Sequence, residues 1–368
     1  MRLASFNVEN MFERPTIMNL PSNDEATHVL EDYYHLSDLI QKKLYSQDDK
    51  DTILTIMKKY KGLLSTGDSI FIRLIESRGH LTDSKHTKVQ ANGRSDWIGW
   101  FELKREAVDE IATENTARVI DAVKADVLCM VEVEDRVAVN RFNSSVIPKV
   151  NGQKYSHSMV IDGNDDRGID VGIMTKLVFN IRSIGTHVDD TDSKGLIFSR
   201  DCAEYMISTP SNNNLLLLVN HFKSKGYGQP AANDAKRKRQ AVRVREIYKE
   251  KLSQGIELIA IVGDLNDSPE RDPLRPLIGD GSTLVDVTKD PHFVSDGRPG
   301  TYGNGTAKDK IDYILMSPKL LARVTGSGIE RRGVWGGKNG TLFPHFPEIQ
   351  TKINAASDHA ALWVDLDL

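Results

Sequence analysis

Seven short apolar runs punctuate this chain: Leu3–Phe6, Val127–Val131, Val171–Met174, Leu215–Val219, Leu258–Val262, Ile311–Met316 and Ala360–Val364. Each has the length of a strand, several are rich in β-branched residues, and most are bounded by Gly, Asn, Asp or Pro. Helical stretches alternate with them. Asn115–Lys124 follows a cap expected at Thr113, and Lys236–Leu252 follows one expected at Asn233 or Asp234. Strands alternating with helices over most of the chain predict a layered α/β domain. Residues 16–110 break this rhythm. Ile53, Met57, Tyr60 and Leu64 keep helical spacing, so Asp51–Leu64 is expected as an amphipathic helix in a polar segment. Trp97, Trp100 and Phe101 follow close together. They read either as packing of a small subdomain onto the main core or as a stacking surface for unpaired bases.

Composition narrows the class. The chain has 368 residues, 39% of them hydrophobic and 27% charged, which is ordinary for a globular protein with a sizeable core. A net charge of −4 excludes a globally basic coat protein, though not a local basic patch. Two cysteines, Cys129 and Cys202, make neither a disulfide framework nor a cysteine-rich zinc site, and both read as core filler. The N-terminus lacks a charged–apolar–small signal pattern, and no apolar run approaches the roughly 18 residues of a membrane span. A cytoplasmic protein with no membrane association is expected.

The strand junctions carry the chemistry. Asn7-Val8-Glu9 ends the first run, with Asn7 and Glu9 on one side of the strand. Glu132-Val133-Glu134 ends the second, and Arg167-Gly168-Ile169-Asp170 leads into the third. Asn220-His221 and Gly263-Asp264-Leu265-Asn266 end the next two; Ile311-Asp312-Tyr313 and Ser357-Asp358-His359 open the last two. A single Asp or Asn at such a junction is an ordinary turn former. Seven loaded junctions converging on one sheet edge would build a cleft of acids, amides and two histidines, suited to a hard divalent cation and a phosphate.

This ordered set resembles the endonuclease/exonuclease/phosphatase superfamily, with its DNase I-like fold. The specific part is Gly263-Asp264-Leu265-Asn266 followed by Ser357-Asp358-His359. The resemblance implies an α/β four-layered sandwich of two packed mixed β-sheets flanked by helices. Residues 1–15 and 111–368 would form the catalytic domain, with 16–110 as a largely helical insertion. It implies Glu132 as the principal metal ligand, preceded here by Val131, with Glu134 a local hydrogen-bonding or surface acid. Glu9 stands where many members have a metal-associated Asp, and Asp358 would lie on the opposite side of the metal. Asn7 and Asn266 would hold the phosphate and the attacking water. His359, paired with Asp312, would act as general base or charged phosphate ligand, with Asp264 the other candidate for activating water. His221 would protonate the leaving oxygen, oriented by Asp170, and Arg200 would contact phosphate. Mg²⁺ is the implied cofactor, with Mn²⁺ also accepted by oxygen ligands.

One charge run bears on substrate. Phe222–Lys251 holds ten Lys or Arg against three Asp or Glu, including Lys223, Lys225, Lys236, Arg237, Lys238 and Arg239. Such a helix reads as a solvated face or, beginning just after His221, as an electropositive lip for a polyanion, with Lys223 nearest the phosphate. The loop Arg331–Lys338 could add cations and Trp335. The function expected is a metal-dependent phosphodiesterase, a nuclease on DNA or RNA. Hydrolysis of a small or lipid phosphate is the alternative, since one fold hosts both. A non-catalytic binding module is a third reading, against which the full set of acids and both histidines stands.

Overall fold

The computed structural model describes residues 1–19, 23–165, 167–226, 229–279 and 281–368. The chain divides into two compact units: Met1–Phe12 with Val108–Lys225 and Gln229–Leu368, and Glu13–Ala107 with Gly226–Gly228.

In the larger unit all seven apolar runs are strands, distributed over two mixed sheets. The seven-stranded sheet runs, in spatial order, Phe293–Val294, Val324–Glu330, Ala361–Leu366, Arg2–Asn7, Val127–Val133, Asp170–Thr175 and His157–Ile161. The six-stranded sheet runs Val285–Asp286, Asp312–Met316, Ile259–Asp264, Asn214–His221, Cys202–Ser208 and Asn180–Gly185. Alternation along each strand sends side chains to two different cores. Leu3, Val127, Cys129 and Val131 pack with Leu217, Val219, Val262 and Ile314 from the other sheet. Ala4, Phe6, Leu128 and Met130 turn outward against Val119, Ile120 and Val123 of the helix Glu110–Val123. Leu216, Leu218, Ile259 and Ile261 likewise meet Ala241, Val244 and Ile247 of the helix Pro230–Ser253. Burying each of the larger side chains contributes about 1.5–3 kcal/mol, and strands covered on both faces explain the near-continuous apolar runs. The expected four layers are present.

Both helices start earlier than their periodicity indicates. Asp109 caps the first by accepting the Ala112 N–H at 3.1 Å, whereas Thr113 lies inside the helix and donates its hydroxyl to the Met11 carbonyl. The second begins at Pro230, six residues before Lys236, because a proline at the first helical position presets φ and forfeits no internal hydrogen bond. Cys129 and Cys202 are both buried and free. Among the described residues no helix is long and apolar enough to cross a membrane.

The smaller unit is helical only in its first half: Asn23–Ile40, Gln47–Lys59 and the short Leu63–Thr66. Its second half is an antiparallel pair, Ile72–Arg78 with Ile98–Leu103, and Glu13–Pro15 pairs with Arg105–Ala107. Ser46 and Asp49 form a capping box that starts the second helix at Gln47, not at Asp51. This unit has a core of its own, in which Trp97 and Phe101 pack with Leu36, Ile53 and Met57. Trp97 Nε1 donates to the Tyr45 hydroxyl at 3.0 Å. Trp100 alone of the three aromatics is exposed, on the opposite face of its strand.

Candidate phosphoesterase site

Topology gathers the loaded junctions. The Asn7 strand runs parallel to the Glu132 strand, and the His221 strand parallel to the Asp264 strand, so these residues sit at carboxyl ends. The strands opened by Asp312 and preceded by His359 run antiparallel to the Asp264 and Asn7 strands, so their amino ends reach the same edge. Asp264 and Asp312 are direct cross-strand partners.

Local distortions aim the side chains. The register between the Glu132 strand and its neighbour shifts between Val131 and Val133, and Glu132 at this bulge takes a left-handed φ of 60°. Glu9 (49°), Asn10 (65°) and Asn266 (53°) also have positive φ. Such conformations cost of order 1–3 kcal/mol each and persist only where the surroundings enforce them. Gly263 needs its freedom: at φ 122° a Cβ would lie 2.0 Å from the Asn220 carbonyl oxygen. Ser357 ties the last motif to the first, donating from Oγ to the Asn7 carbonyl at 2.8 Å and accepting the His359 N–H at 3.0 Å.

His359 Nδ1 lies 2.8 Å from Asp312 Oδ2, and its Nε2 is 3.9 Å from Asp264 and 3.6 Å from Asp358. Burial alone would lower its pKa, but the charges of Asp312 and Asp358 override it and hold the imidazole well above the usual range. His221 is also buried, with Nε2 3.4 Å from Glu132 and 3.8 Å from Asp264. Burial, then the charges of Arg167, His359 and Lys223, push its pKa well down, and its Nδ1 has no hydrogen-bond partner. Burial first and the Asp312 charge second raise the Asp264 carboxyl; burial also raises that of Glu132. Asp264 Oδ1 accepts the Asn266 N–H at 2.8 Å, and Asn7 Nδ2 approaches Asp264 Oδ2 at 3.3 Å. Glu9 Oε2 accepts the Asp358 N–H at 3.0 Å. Glu134 instead accepts the Met11 and Phe12 N–H groups, so it shapes the neighbouring loop.

Several expected placements differ. Asp170 does not orient His221: it accepts the Gly163 N–H at 2.6 Å, and burial pushes its carboxyl up to about 7. Arg200 is fully buried, 2.7 Å from Asp165, with Nη1 donating to the Phe222 carbonyl, so it is a brace within the fold without access to a phosphate. Arg167, held at two points by Asp165, is the arginine whose charge acts on both Glu132 and His221. The basic helix is largely neutralised within the fold. Lys238 pairs with Asp272, Arg239 with Asp192 and Arg243 with Asp190, while Lys236 donates to the Leu196 carbonyl. Arg237 is buried, pairing with Asp267 and Asp234 and donating to the Lys223 carbonyl at 3.0 Å. Gln240 accepts the Lys223 N–H at 2.9 Å, so the helix braces the segment after His221. Lys223 remains beside the site through its charge on His221. In the Arg331–Lys338 loop, Arg331 pairs with Asp296 and the exposed Arg332 with Glu330, and Lys338 is a second exposed cation.

Tyr302 had no place in the sequence reasoning. Its ring centroid lies 5.0 Å from that of His359, and the charge of Asp358 first, then burial, Glu9, Glu132 and Asp264, raise its phenol pKa. The residue sits in a Gly-Thr-Tyr-Gly turn with no acid to mark it. Its only sequence signal is an aromatic within a glycine-bounded turn nine residues before Ile311-Asp312-Tyr313.

Asp264, Asp312 and His359 bring three potential ligand atoms within 4.8 Å of one another and form a candidate metal site. Solved structures share the architecture. An endonuclease/exonuclease/phosphatase from Bacteroides vulgatus is 16% identical, with a TM-score of 0.50 over 70% of this chain and 91% of that one. A family protein from Bacteroides thetaiotaomicron is 18% identical (TM-score 0.50; 69% and 86%), and a mannosyl-6-phosphatase from the same organism 17% (0.50; 70% and 92%). At such identity the likeness shows the fold alone. No curated protein matches the sequence. The profile of the Endonuclease/Exonuclease/phosphatase family matches residues 104–359, well over half the chain, and with this fold and buried Asp/Asp/His cluster the protein belongs to that family of phosphoester hydrolases.

Proposed function

We propose that the chain is a divalent-metal-dependent phosphodiesterase with nucleic acid as its substrate class. The observation that carries this reading is a two-sided site. Two histidines from different sheets flank Asp264, one biased toward the cation and one toward the neutral form. In-line displacement places the attacking water and the leaving oxygen on opposite sides of phosphorus, and each needs different chemistry.

The donor set fits a hard cation, because the carboxylates of Glu9, Glu132, Asp264 and Asp358 all act on the one Tyr302 phenol and Glu9 bonds the Asp358 N–H. Glu132, Glu9 and Asp358 would hold it in preference to the Asp264, Asp312 and His359 cluster, because Asp312 Oδ2 is already committed to His359 Nδ1. When bound, Mg²⁺ or Mn²⁺ supplies positive charge to a phosphoryl oxygen and the leaving oxygen. Asp264, whose carboxyl burial and the Asp312 charge hold well above the usual carboxylate range, would take the proton of the attacking water. His359, kept charged by Asp312, stabilises the phosphoryl oxygens. A depressed pKa makes His221 a neutral hydrogen-bond donor, rather than the acid expected from the resemblance.

A second reading has its own observation. The basic helix satisfies its cations internally, which favours a small or lipid phosphate over a long polyanion. Digestion of labelled single- and double-stranded DNA and RNA with Mg²⁺ or Mn²⁺ decides. Shortened strands support the nuclease; intact strands beside hydrolysis of small phosphate esters support the second reading. No hydrolysis of a bis-aryl phosphate or of any of these removes both.

A further inference from the structure

The amide donors that the family resemblance assigns to phosphate already have acceptors in the fold. Asn266 Nδ2 donates to the buried Phe222 carbonyl at 3.1 Å, and Asn7 Nδ2 faces Asp264 Oδ2 and His359 Nε2. A site rich in carboxylates and short of free donors stabilises phosphoryl oxygens poorly unless another neutral donor faces it.

The turn Thr301-Tyr302-Gly303 provides one. It is stitched to the motifs on both sides of the site. Thr301 Oγ1 accepts the Asp312 N–H at 3.1 Å, and the Thr301 carbonyl accepts the Ala360 N–H at 2.7 Å. Tyr302 forms an isolated β-bridge with His359, and the Gly303 N–H donates to the Asp358 carbonyl at 2.8 Å. With its backbone fixed there, the ring packs against the His359 imidazole, tilted by 58°. Among the described residues the hydroxyl has no hydrogen-bond partner, although four carboxylates act on it. A phenol has one proton to give and a choice of anionic acceptors. The acceptor that gains charge during displacement attracts it most.

We propose that the Tyr302 hydroxyl donates a hydrogen bond to a non-bridging oxygen of the scissile phosphoryl group. This rests on the phosphoesterase reading of the same site and adds a catalytic residue to it. No covalent step is involved; the proton stays on the phenol.

Tyr302→Phe tests it, since the variant keeps the ring against His359 and removes only the donor. With Mn²⁺ and a bis-aryl phosphate ester, kcat should fall roughly 10²- to 10³-fold, the range for loss of one preorganised donor, with KM within about twofold. The thermal midpoint and calorimetric Mn²⁺ affinity should match wild type. A kcat within twofold of wild type overturns the proposal, and so does a proportionate loss of Mn²⁺ affinity, which would route the effect through the ion. Should the wild-type protein hydrolyse nothing, the phosphoesterase reading fails separately. Titration of the Mn²⁺-loaded protein with inorganic phosphate then still reads the hydroxyl: weaker binding by Tyr302→Phe supports the contact, and equal binding overturns it.

Discussion

His221 and His359 approach the same carboxylate oxygen of Asp264, at 3.8 and 3.9 Å, yet their surroundings bias them in opposite directions. On the His359 side Asp312 accepts from the ring and Asp358 adds charge, so the cation persists despite burial. On the His221 side Arg167 and Lys223 add positive charge to a buried ring whose Nδ1 has no partner, so the neutral form prevails. Two identical side chains in one cleft are made different reagents by what lies behind them. The strand order contributes to this asymmetry, because Asp312 enters antiparallel beside Asp264 and meets His359 Nδ1, whereas His221 Nδ1 meets no acid among the described residues.

The strongest way to break the comparison is to remove the charge next to the neutral side. Glu132→Gln, isosteric and 3.4 Å from His221 Nε2, should lower Mg²⁺-dependent turnover by at least about 10³-fold while circular dichroism shows an intact fold. Near-wild-type turnover would show that Glu132 has no place in the metal site.

The charged side is tested by a cycle. His359→Ala and Asp312→Ala should each cost about 10²–10³-fold in kcat, and the double variant little more than the worse single one, because the pair acts as a unit. Additive losses would mean that Asp312 has work apart from His359.

The site was legible because its residues sit at strand ends, where chemistry and topology coincide: Asn7, Glu132, His221, Asp264, Asp312 and His359 converge as their junctions implied. Misplacements came where another group in the fold claims the side chain. Arg200 precedes the His221 strand, but its charge is claimed by Asp165; Asp170 lies near His221 in the reading order, but its oxygen is taken by Gly163. Arg237 looked like one more surface cation until the fold buried it against Asp267. Edge strands such as Asn180–Gly185 escaped for another reason: with exposed residues along most of their length, they carry no apolar run. The β-pair of residues 72–103 was hidden likewise, by a polar face and a long connection.

Asp170 sharpens the His221 side by its irrelevance to it. Its carboxyl, raised to about 7 by burial, holds a proton in the folded protein that the unfolded chain releases at the ordinary value of 3.8. Between those values the native state binds more protons, so stability falls as pH rises, by up to ~4 kcal/mol in all. Asp170→Asn keeps the acceptor for Gly163 and removes this loss. Urea unfolding should find the variant more stable than wild type at pH 8 and little different near pH 3. The pH dependence of turnover should not move. A shifted turnover profile would restore Asp170 as a partner of the active centre.

The smallest effect belongs to the basic helix, and it bears on what the His221 side faces. Lys236→Gln, Lys238→Gln and Arg239→Gln together remove three cations already bonded to Leu196, Asp272 and Asp192, while sparing the buried Arg237. Glutamine keeps the helix propensity, and exposed ion pairs of this kind contribute only ~0–1 kcal/mol each. Cleavage of a long oligonucleotide should therefore stay within about twofold of wild type, with the same salt dependence. Weak pairs are also exchangeable, which gives the experiment its edge. If a polyanion draws these side chains away from their acids, each lost phosphate contact lowers the slope of log affinity against log salt by about 0.9. A flattened slope in the triple variant would show that the helix turns its cations outward when substrate arrives, and that the nucleic acid runs along the His221 side of the cleft.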